Sequence, residues 1–255
     1  MSTKIQFTIK NYFDSHALLF EKMDVLKINA AIELLKSTYI KSYLYNEKKK
    51  ILILGSSGFL GKAIYKNIKK EFIVEHTGIK KRIIDFNNVF QFKRLIINNK
   101  YDFIINCVGF TDIDKCQTRR DEALNLNFKL VKNILDIKKF YKLKFNFIHF
   151  STDQVYNKND TSSYSNEKKI SLKNVNYYTY TKLIGEKICS NKNKYNSLIF
   201  RTNFIGKSFS KKKSFTDWLA YSIKNNHKIM LAKDSYFTPL KVETIAIIIK
   251  KIIKL

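Results

Sequence analysis

The sequence contains few cysteines, and their placement excludes folds that depend on disulfides or zinc. Among its 255 residues, Cys107, Cys116 and Cys189 are odd in number, far apart and without a C-x-x-C pair. This arrangement favours reduced thiols in a reducing compartment. The four histidines are equally dispersed, without the spacing of metal ligands. We therefore predict no metal site.

The sequence also lacks long apolar runs. No stretch approaches the roughly 18 consecutive apolar residues of a membrane span, and the N-terminal residues have no apolar core of a signal peptide. Apolar residues nevertheless make up 45% of the chain, which is enough to bury a full core. We expect a cytoplasmic, folded protein with no transmembrane segment.

Acidic residues are scarce, with 21 Asp and Glu against 48 Lys and Arg, and the net charge is +27. Such a charge can indicate a nucleic-acid or anionic-membrane partner. The lysines are scattered, however, and no aromatic–basic recognition motif accompanies them, so we expect no specific nucleic-acid partner. Residues 245–255 mix lysines with isoleucines. They could form a helix packed on the body of the protein or make a weak peripheral membrane contact.

Glycine is rare, yet three of the seven glycines fall at Gly55, Gly58 and Gly61. They directly follow the aliphatic run 51–54, which predicts a buried parallel strand that enters a helix through a tight turn. The spacing differs by one residue from the G-x-G-x-x-G dinucleotide fingerprint. The turn could serve helix packing alone, or it could seat a pyrophosphate at the helix N-terminus.

Strand and helix patterns alternate after residue 50, which predicts an α/β fold of Rossmann type. The sheet should be parallel and doubly wound, with ligands at the carboxyl ends of its strands. A helix over 24–39 would belong to an N-terminal extension, 1–49. The NAD(P)-binding domain would span 50–202, with a substrate-side insertion at 154–176, and a short substrate lobe would span 203–255. Further strands are predicted at 71–76, 101–109, 145–150 and 197–200, and helices at 88–98, 121–141 and 178–190.

The pattern Tyr-x-x-x-Lys occurs four times, at Tyr45/Lys49, Tyr65/Lys69, Tyr164/Lys168 and Tyr178/Lys182. Only the last pair opens a predicted helix shortly after the strand that delivers Thr152. Residues four apart share a helix face, so we expect the Lys182 ammonium to lower the pKa of the Tyr178 phenol. The phenol would then act as a general acid, with the Thr152 hydroxyl bonded to a substrate carbonyl.

Several motifs in order give the chain a family resemblance from about residue 50 to 240. They are 106–115 (NCVGFTDIDK), 123–127 (ALNLN), 151–156 (STDQVY), 178–186 (YTYTKLIGE) and 201–204 (RTNF). The chain resembles the extended short-chain dehydrogenase/reductase family, and within it the dTDP-4-dehydrorhamnose reductases. It departs from their pattern at Gln154, where an aromatic is expected, at Phe204, where a Trp is expected, and at Phe237 and Leu240.

The resemblance implies a Rossmann-type reductase that uses NADPH or NADH on a nucleotide-activated keto-sugar in surface polysaccharide or deoxysugar biosynthesis. A non-catalytic NAD(P)-binding regulatory subunit is the alternative, and a homodimer is an open arrangement for either. By matching position, the resemblance implies Thr152, Tyr178 and Lys182 as the catalytic residues. The implied substrate residues are Thr111, Asp153 and Phe204. The implied cofactor residues are Gly55, Ser57, Gly58, Phe59, Leu60, Gly61, Asp85, Phe86, Val108, Gly109 and Phe110, together with Tyr178 and Lys182.

The end of the second strand favours NADPH over NADH. An acidic residue there would bind the ribose 2′-hydroxyl of NAD. The sequence instead has His76 and Thr77, followed by Lys80, Lys81 and Arg82. These residues suit a 2′-phosphate.

Overall fold

The computed structural model describes residues 48–78, 88–156, 175–190, 196–208, 214–230 and 239–255. The predicted helix at 24–39, the cofactor positions Asp85 and Phe86, and most of the insertion predicted at 154–176 lie outside these ranges. The division of the chain into an extension, a cofactor domain and a substrate lobe stays a prediction.

Five parallel strands form the central sheet and confirm the predicted fold class. They are β1 (Lys50–Leu54), β2 (Ile73–His76), β3 (Phe103–Asn106), β4 (Asn146–Ser151) and β5 (Ser197–Arg201). Their spatial order is β2-β1-β3-β4-β5. The chain therefore moves outward from β1 in one direction to β2 and then crosses to β3 on the other side. In a sheet of this kind, ligands bind in the crevice outside the carboxyl ends of the strands where the order reverses.

Helices cover both faces of the sheet because alternate strand residues point to opposite sides. Leu52 of β1 packs in one apolar cluster with Phe92, Leu130 and Phe147. Its neighbour Ile53 packs in the other, with residues of the first and last helices. The helices are α1 (Phe59–Ile68), α2 (Val89–Ile97), α3 (Ile113–Thr118), α4 (Arg120–Leu124), α5 (Leu130–Phe140), α6 (Tyr177–Cys189), α7 (Phe215–Lys224) and α8 (Val242–Lys254).

The helix predicted over 121–141 has the expected extent but an irregular centre. A π-helical turn, Asn125–Lys129, joins α4 to α5. The turn begins five residues after the start of α4, and it places Asn127 in the fully buried interior. Single π-helical turns inside α-helices are frequently found at functional sites.

A second, two-stranded parallel sheet lies in the C-terminal part. It pairs β6 (Asn203–Ile205) with β7 (Pro239–Lys241), and β7 leads directly into α8. Ile245, Ile249 and Ile253 of α8 are buried in the same cluster as β1 and α1. These three isoleucines therefore pack on the body of the protein, as in the first of the two alternatives for residues 245–255, while Ile247 is exposed. Within the described ranges, no helix is both long and apolar enough to cross a membrane.

Candidate active site

The turn between β1 and α1 combines close packing with an open helix N-terminus. Gly55 has φ +78, and a Cβ on Gly61 would lie 2.3 Å from the Gly55 carbonyl oxygen, so only glycine lets α1 approach the turn. Gly58 is the N-cap, no side chain in the described ranges caps α1, and its first turn has no acidic residue. The first main-chain N–H groups of α1 can therefore bind an anion.

The remaining cofactor positions of this turn differ in what they can offer. The Leu60 side chain is buried in the core, so only its main chain can face a ligand. Ser57 is exposed, and its Oγ would lie 2.7 Å from a Cβ on Gly78, just beyond β2. The Thr77 Oγ1 accepts the Gly55 N–H at 3.2 Å. The end of β2 and the glycine turn thus form one continuous surface.

The loop after β3 meets the glycine turn. Asn106 fixes this loop, since its Oδ1 accepts the Val108 N–H at 3.1 Å. A Cβ on Gly55 would lie 3.0 Å from Cγ2 of Val108, and a Cβ on Gly109 would lie 4.0 Å from Nζ of Lys182. The structure therefore brings the predicted cofactor residues of two loops together with Lys182.

Asn127 joins the same loop to α6, and we did not predict a role for it. Its Oδ1 accepts the Phe110 N–H at 2.9 Å. Its Nδ2 donates to the Phe110 carbonyl oxygen and to Oγ1 of Thr181, each at 3.0 Å. A Cβ on Gly185 would lie 2.5 Å from the Asn127 carbonyl oxygen. The signal available in the sequence was an Asn inside the helix predicted over 121–141, because this residue type is unfavourable in a helix interior.

The predicted acid and its hydroxyl neighbour meet at the carboxyl end of β4. Thr152 directly follows β4 and is 4% exposed, and Tyr178 is the second residue of α6. The two side chains are hydrogen-bonded to each other. The Gln154 N–H donates to Oγ1 of Thr152 at 3.2 Å and fixes the hydroxyl oxygen. Asn176 caps α6 by accepting the Thr179 N–H at 2.8 Å.

The expectation that Lys182 lowers the pKa of Tyr178 is wrong. Burial raises the pKa of Tyr178 to about 12, the Thr152 hydrogen bond lowers it, and the Asp153 charge raises it further. Lys182 is not among the groups that shift the pKa of Tyr178, and its buried Nζ donates to the Phe150 carbonyl oxygen at the end of β4. Burial also lowers the pKa of Lys182 to about 8.

The three predicted substrate residues occupy different places. Asp153 lies beside the acid: burial raises its pKa, while hydrogen bonds with the side chains of Thr152 and Asn203 oppose this rise. Phe204 lies on the α1 side, where its ring meets that of Phe59 edge-on with centroids 5.6 Å apart. Thr111 is exposed just beyond the β3 loop. The assignment of these residues to a substrate stays a prediction.

A buried histidine and a buried ion pair lie in the interior next to the site. His149 is fully buried on β4, with Nδ1 3.3 Å from Nδ2 of Asn106. Burial, followed by the Lys182 charge, holds the pKa of His149 well below its usual value. The Arg201 guanidinium forms a bidentate ion pair with Glu186, and both side chains are less than 5% exposed. This pair ties α6 to β5.

Together these groups place a protonated phenol, a hydroxyl and an amine next to an anion-binding turn. A phenol that holds its proton at neutral pH can act as a general acid towards an oxygen that gains negative charge. The arrangement lies at the point where the order of the strands reverses, the place where such folds bind ligands. Its chemistry therefore suits proton donation beside a bound dinucleotide.

A sequence profile described as the RmlD substrate binding domain matches residues 49–255, and the chain belongs to this family. Two curated relatives are 24% identical to it: the spore coat polysaccharide biosynthesis protein SpsK of Bacillus subtilis and a probable low-salt glycan biosynthesis reductase of Haloferax volcanii. The matches cover 61% and 64% of this chain, and 53% and 54% of those relatives. The chain thus spans about half the length of the curated relatives it matches.

Solved structures share the fold. A hypothetical dTDP-4-dehydrorhamnose reductase from Sulfolobus tokodaii is 26% identical, with a TM-score of 0.68 over 80% of this chain and 72% of that one. A dTDP-4-dehydrorhamnose reductase from Bacillus anthracis, solved in complex with NADP, is 20% identical, with a TM-score of 0.67 over 83% of this chain and 72% of that one.

Proposed function

From membership of this family and the geometry of the site, we propose that the protein is a cytoplasmic NAD(P)H-dependent reductase of a nucleotide-activated keto-sugar. The product would enter the synthesis of surface polysaccharide or deoxysugars. The observation that carries the proposal is that Thr152 and Tyr178 lie at the same edge of the sheet as the glycine turn, with the Lys182 amine near Gly109. The names of the relatives, which refer to glycan and polysaccharide synthesis, support the same substrate class.

The residues of the β1–α1 turn fit a dinucleotide. The glycines leave the main-chain N–H groups of α1 accessible, as a pyrophosphate requires. The last residue of β2 is His76, and the carboxylate before it, Glu75, is paired with Lys50 and accepts from the Tyr101 hydroxyl. A strand end of this kind favours NADPH, and the related structure from Bacillus anthracis holds NADP. A bound reduced nicotinamide would supply the hydride.

The chain's own residues would supply and direct the proton. Tyr178 would donate its phenolic proton to the sugar carbonyl oxygen as negative charge develops there. With a pKa of about 12 the phenol is protonated at neutral pH, yet it is still a stronger acid than an alcohol. Thr152 would orient the same carbonyl oxygen, and Lys182 would add positive charge beside Gly109.

The test is NADPH oxidation by the purified chain with a panel of dTDP- and UDP-linked 4-keto-sugars. We expect oxidation that depends on one of these sugars and is faster with NADPH than with NADH. Lys182 donates to the Phe150 carbonyl and is not among the groups that shift the pKa of Tyr178, and this favours the second candidate, a non-catalytic NAD(P)-binding subunit. NADPH binding without turnover of any sugar would contradict the reductase and support that candidate.

A further inference from the structure

The side chain of Gln154 is held in one orientation beside the proposed acid. Gln154 lies in the 3-10 turn Asp153–Val155 and is exposed. Its Oε1 accepts from Oγ1 of Thr179 at 3.3 Å and from Nδ2 of Asn176 at 3.4 Å. Thr179 follows Tyr178 in α6, so these bonds lay the carboxamide over the first turn of that helix.

The hydrogen-bond network decides which end of this carboxamide points inward. The Thr179 main-chain N–H must donate, so the Asn176 atom that it contacts is the oxygen Oδ1. The other end of the Asn176 amide is then the donor Nδ2, and the Gln154 atom facing it must be the acceptor Oε1. The Gln154 NH2 group therefore points outward, where no described residue accepts its protons.

Asp153 and Gln154 directly follow Thr152, and both contact its hydroxyl: Oγ1 of Thr152 donates to Oδ1 of Asp153 at 3.4 Å and accepts from the Gln154 main-chain N–H at 3.2 Å. Asp153 can accept a hydrogen bond, and Gln154 can only donate from its free end. A carboxamide already fixed by two bonds loses little freedom when it binds, so its donors are preorganised for a ligand. This edge therefore presents fixed polar chemistry next to the reacting position.

We propose that Gln154 is a specificity-determining residue whose outward N–H groups donate to an oxygen substituent on the sugar beside the reacting carbonyl. The substrate would then be a nucleotide-linked keto-sugar with a hydroxyl-bearing group at that position, and a sugar with a methyl group there would be a poorer substrate. The inference rests on the proposed reductase function and names its substrate class more closely. A site built to bond a hydroxyl discriminates against an analogue that lacks it, because the polar group is left unpaired.

Gln154→Glu separates this role from a structural one. A carboxylate keeps an inward oxygen for Thr179 and Asn176, but it replaces the outward donors with an acceptor. The assay measures NADPH oxidation with UDP-4-keto-glucose and UDP-4-keto-6-deoxyglucose, which differ in one hydroxyl. We expect the wild type to prefer the first in kcat/KM by about tenfold, the effect of one hydrogen bond. Gln154→Glu should raise its KM about tenfold, leave kcat within about threefold and abolish the preference.

Gln91→Glu is the matched control, because it makes the same chemical change on the exposed start of α2. It should leave both KM values unchanged, and both variants should melt at the wild-type temperature. A Gln154→Glu enzyme with wild-type KM values and the wild-type preference would overturn the inference while leaving the reductase intact. A wild type that prefers the 6-deoxy sugar would also overturn it. A wild type that turns over neither sugar would contradict the proposed function, and the inference would fall with it.

Discussion

The pairs Tyr65/Lys69 and Tyr178/Lys182 have the same spacing but opposite surroundings. Lys69 is exposed, and its Nζ lies 5.5 Å from the centre of the Tyr65 ring. Lys182 is 4% exposed, and its Nζ donates to the end of β4. Tyr65 meets the ring of His76 edge-on, whereas Tyr178 is hydrogen-bonded to Thr152. One pair is a surface contact, and the other is part of a polar site.

The position of each pair in its helix explains the difference. A helix that connects two parallel strands starts at their carboxyl edge and returns to their amino edge. Tyr65 lies near the end of α1, while Tyr178 is the second residue of α6. The Tyr-x-x-x-Lys pattern therefore forms a site only at the start of such a helix, where the carboxyl ends of the other strands converge.

The largest expected difference between the two pairs is in turnover. Tyr178→Phe removes the proposed proton donor and should lower kcat by roughly two to four orders of magnitude, with the NADPH Kd unchanged. Tyr65→Phe makes the same change at the other pair and should leave kcat within about twofold. Steady-state NADPH oxidation and calorimetric NADPH titration check both. Equal kcat values for the two variants would remove the distinction between the pairs.

A second difference is that the Tyr178/Lys182 pair has a buried ion pair close to it in α6. Glu186, four residues after Lys182, pairs with Arg201 in the interior. Glu186→Gln removes this carboxylate charge from the buried guanidinium and should lower the free energy of unfolding by about 3–5 kcal/mol. The control Glu122→Gln breaks an exposed pair with Arg119 and should cost about 1 kcal/mol or less. Urea unfolding measures the free energy of unfolding of both variants. Similar decreases would contradict a stabilising role for the buried Glu186–Arg201 pair.

A smaller, pH-dependent difference should come from His149, which lies beneath the site. The unfolded chain takes up a proton here as pH falls through about 6.5, whereas burial keeps the folded imidazole neutral. The unfolded state therefore binds more protons, and stability should fall by about 1.4 kcal/mol per pH unit below that point. His149→Gln should lack this contribution. Urea unfolding at several pH values checks this. If the free energy of unfolding changed with pH by the same slope in both proteins, His149 would not contribute.

The sequence predicts the sheet and its order of elements well, because these depend on local patterns. Apolar runs of strand length and helical periodicity indicate β1, β3, β4 and α6 directly. The position of Thr152 and Tyr178 at strand and helix ends follows from the same alternation. Their meeting at one edge is then a consequence of parallel topology, whatever the spacing of the Tyr and Lys residues.

Other features depend on contacts between distant residues and could not be predicted. The π-helical turn at Asn127 depends on bonds to Phe110 and Thr181, which are far apart in sequence. The bond from the Lys182 amine to the Phe150 carbonyl joins residues far apart in sequence, and spacing alone predicted the wrong pKa shift for Tyr178. The strands β6 and β7 are three residues each, too short for a periodic pattern.

The central claim is that a nicotinamide cofactor bound at this edge of the sheet would give its hydride to a sugar carbonyl. The NADPH oxidation assay tests it most directly when the transferable hydrogen of the cofactor is replaced by deuterium and the sugar product is examined by mass spectrometry and NMR. The account predicts one deuterium on the former carbonyl carbon with the wild type, and a rate at least about a hundredfold lower with Tyr178→Phe. A product without deuterium, or labelled product formed at the same rate by both proteins, would contradict it.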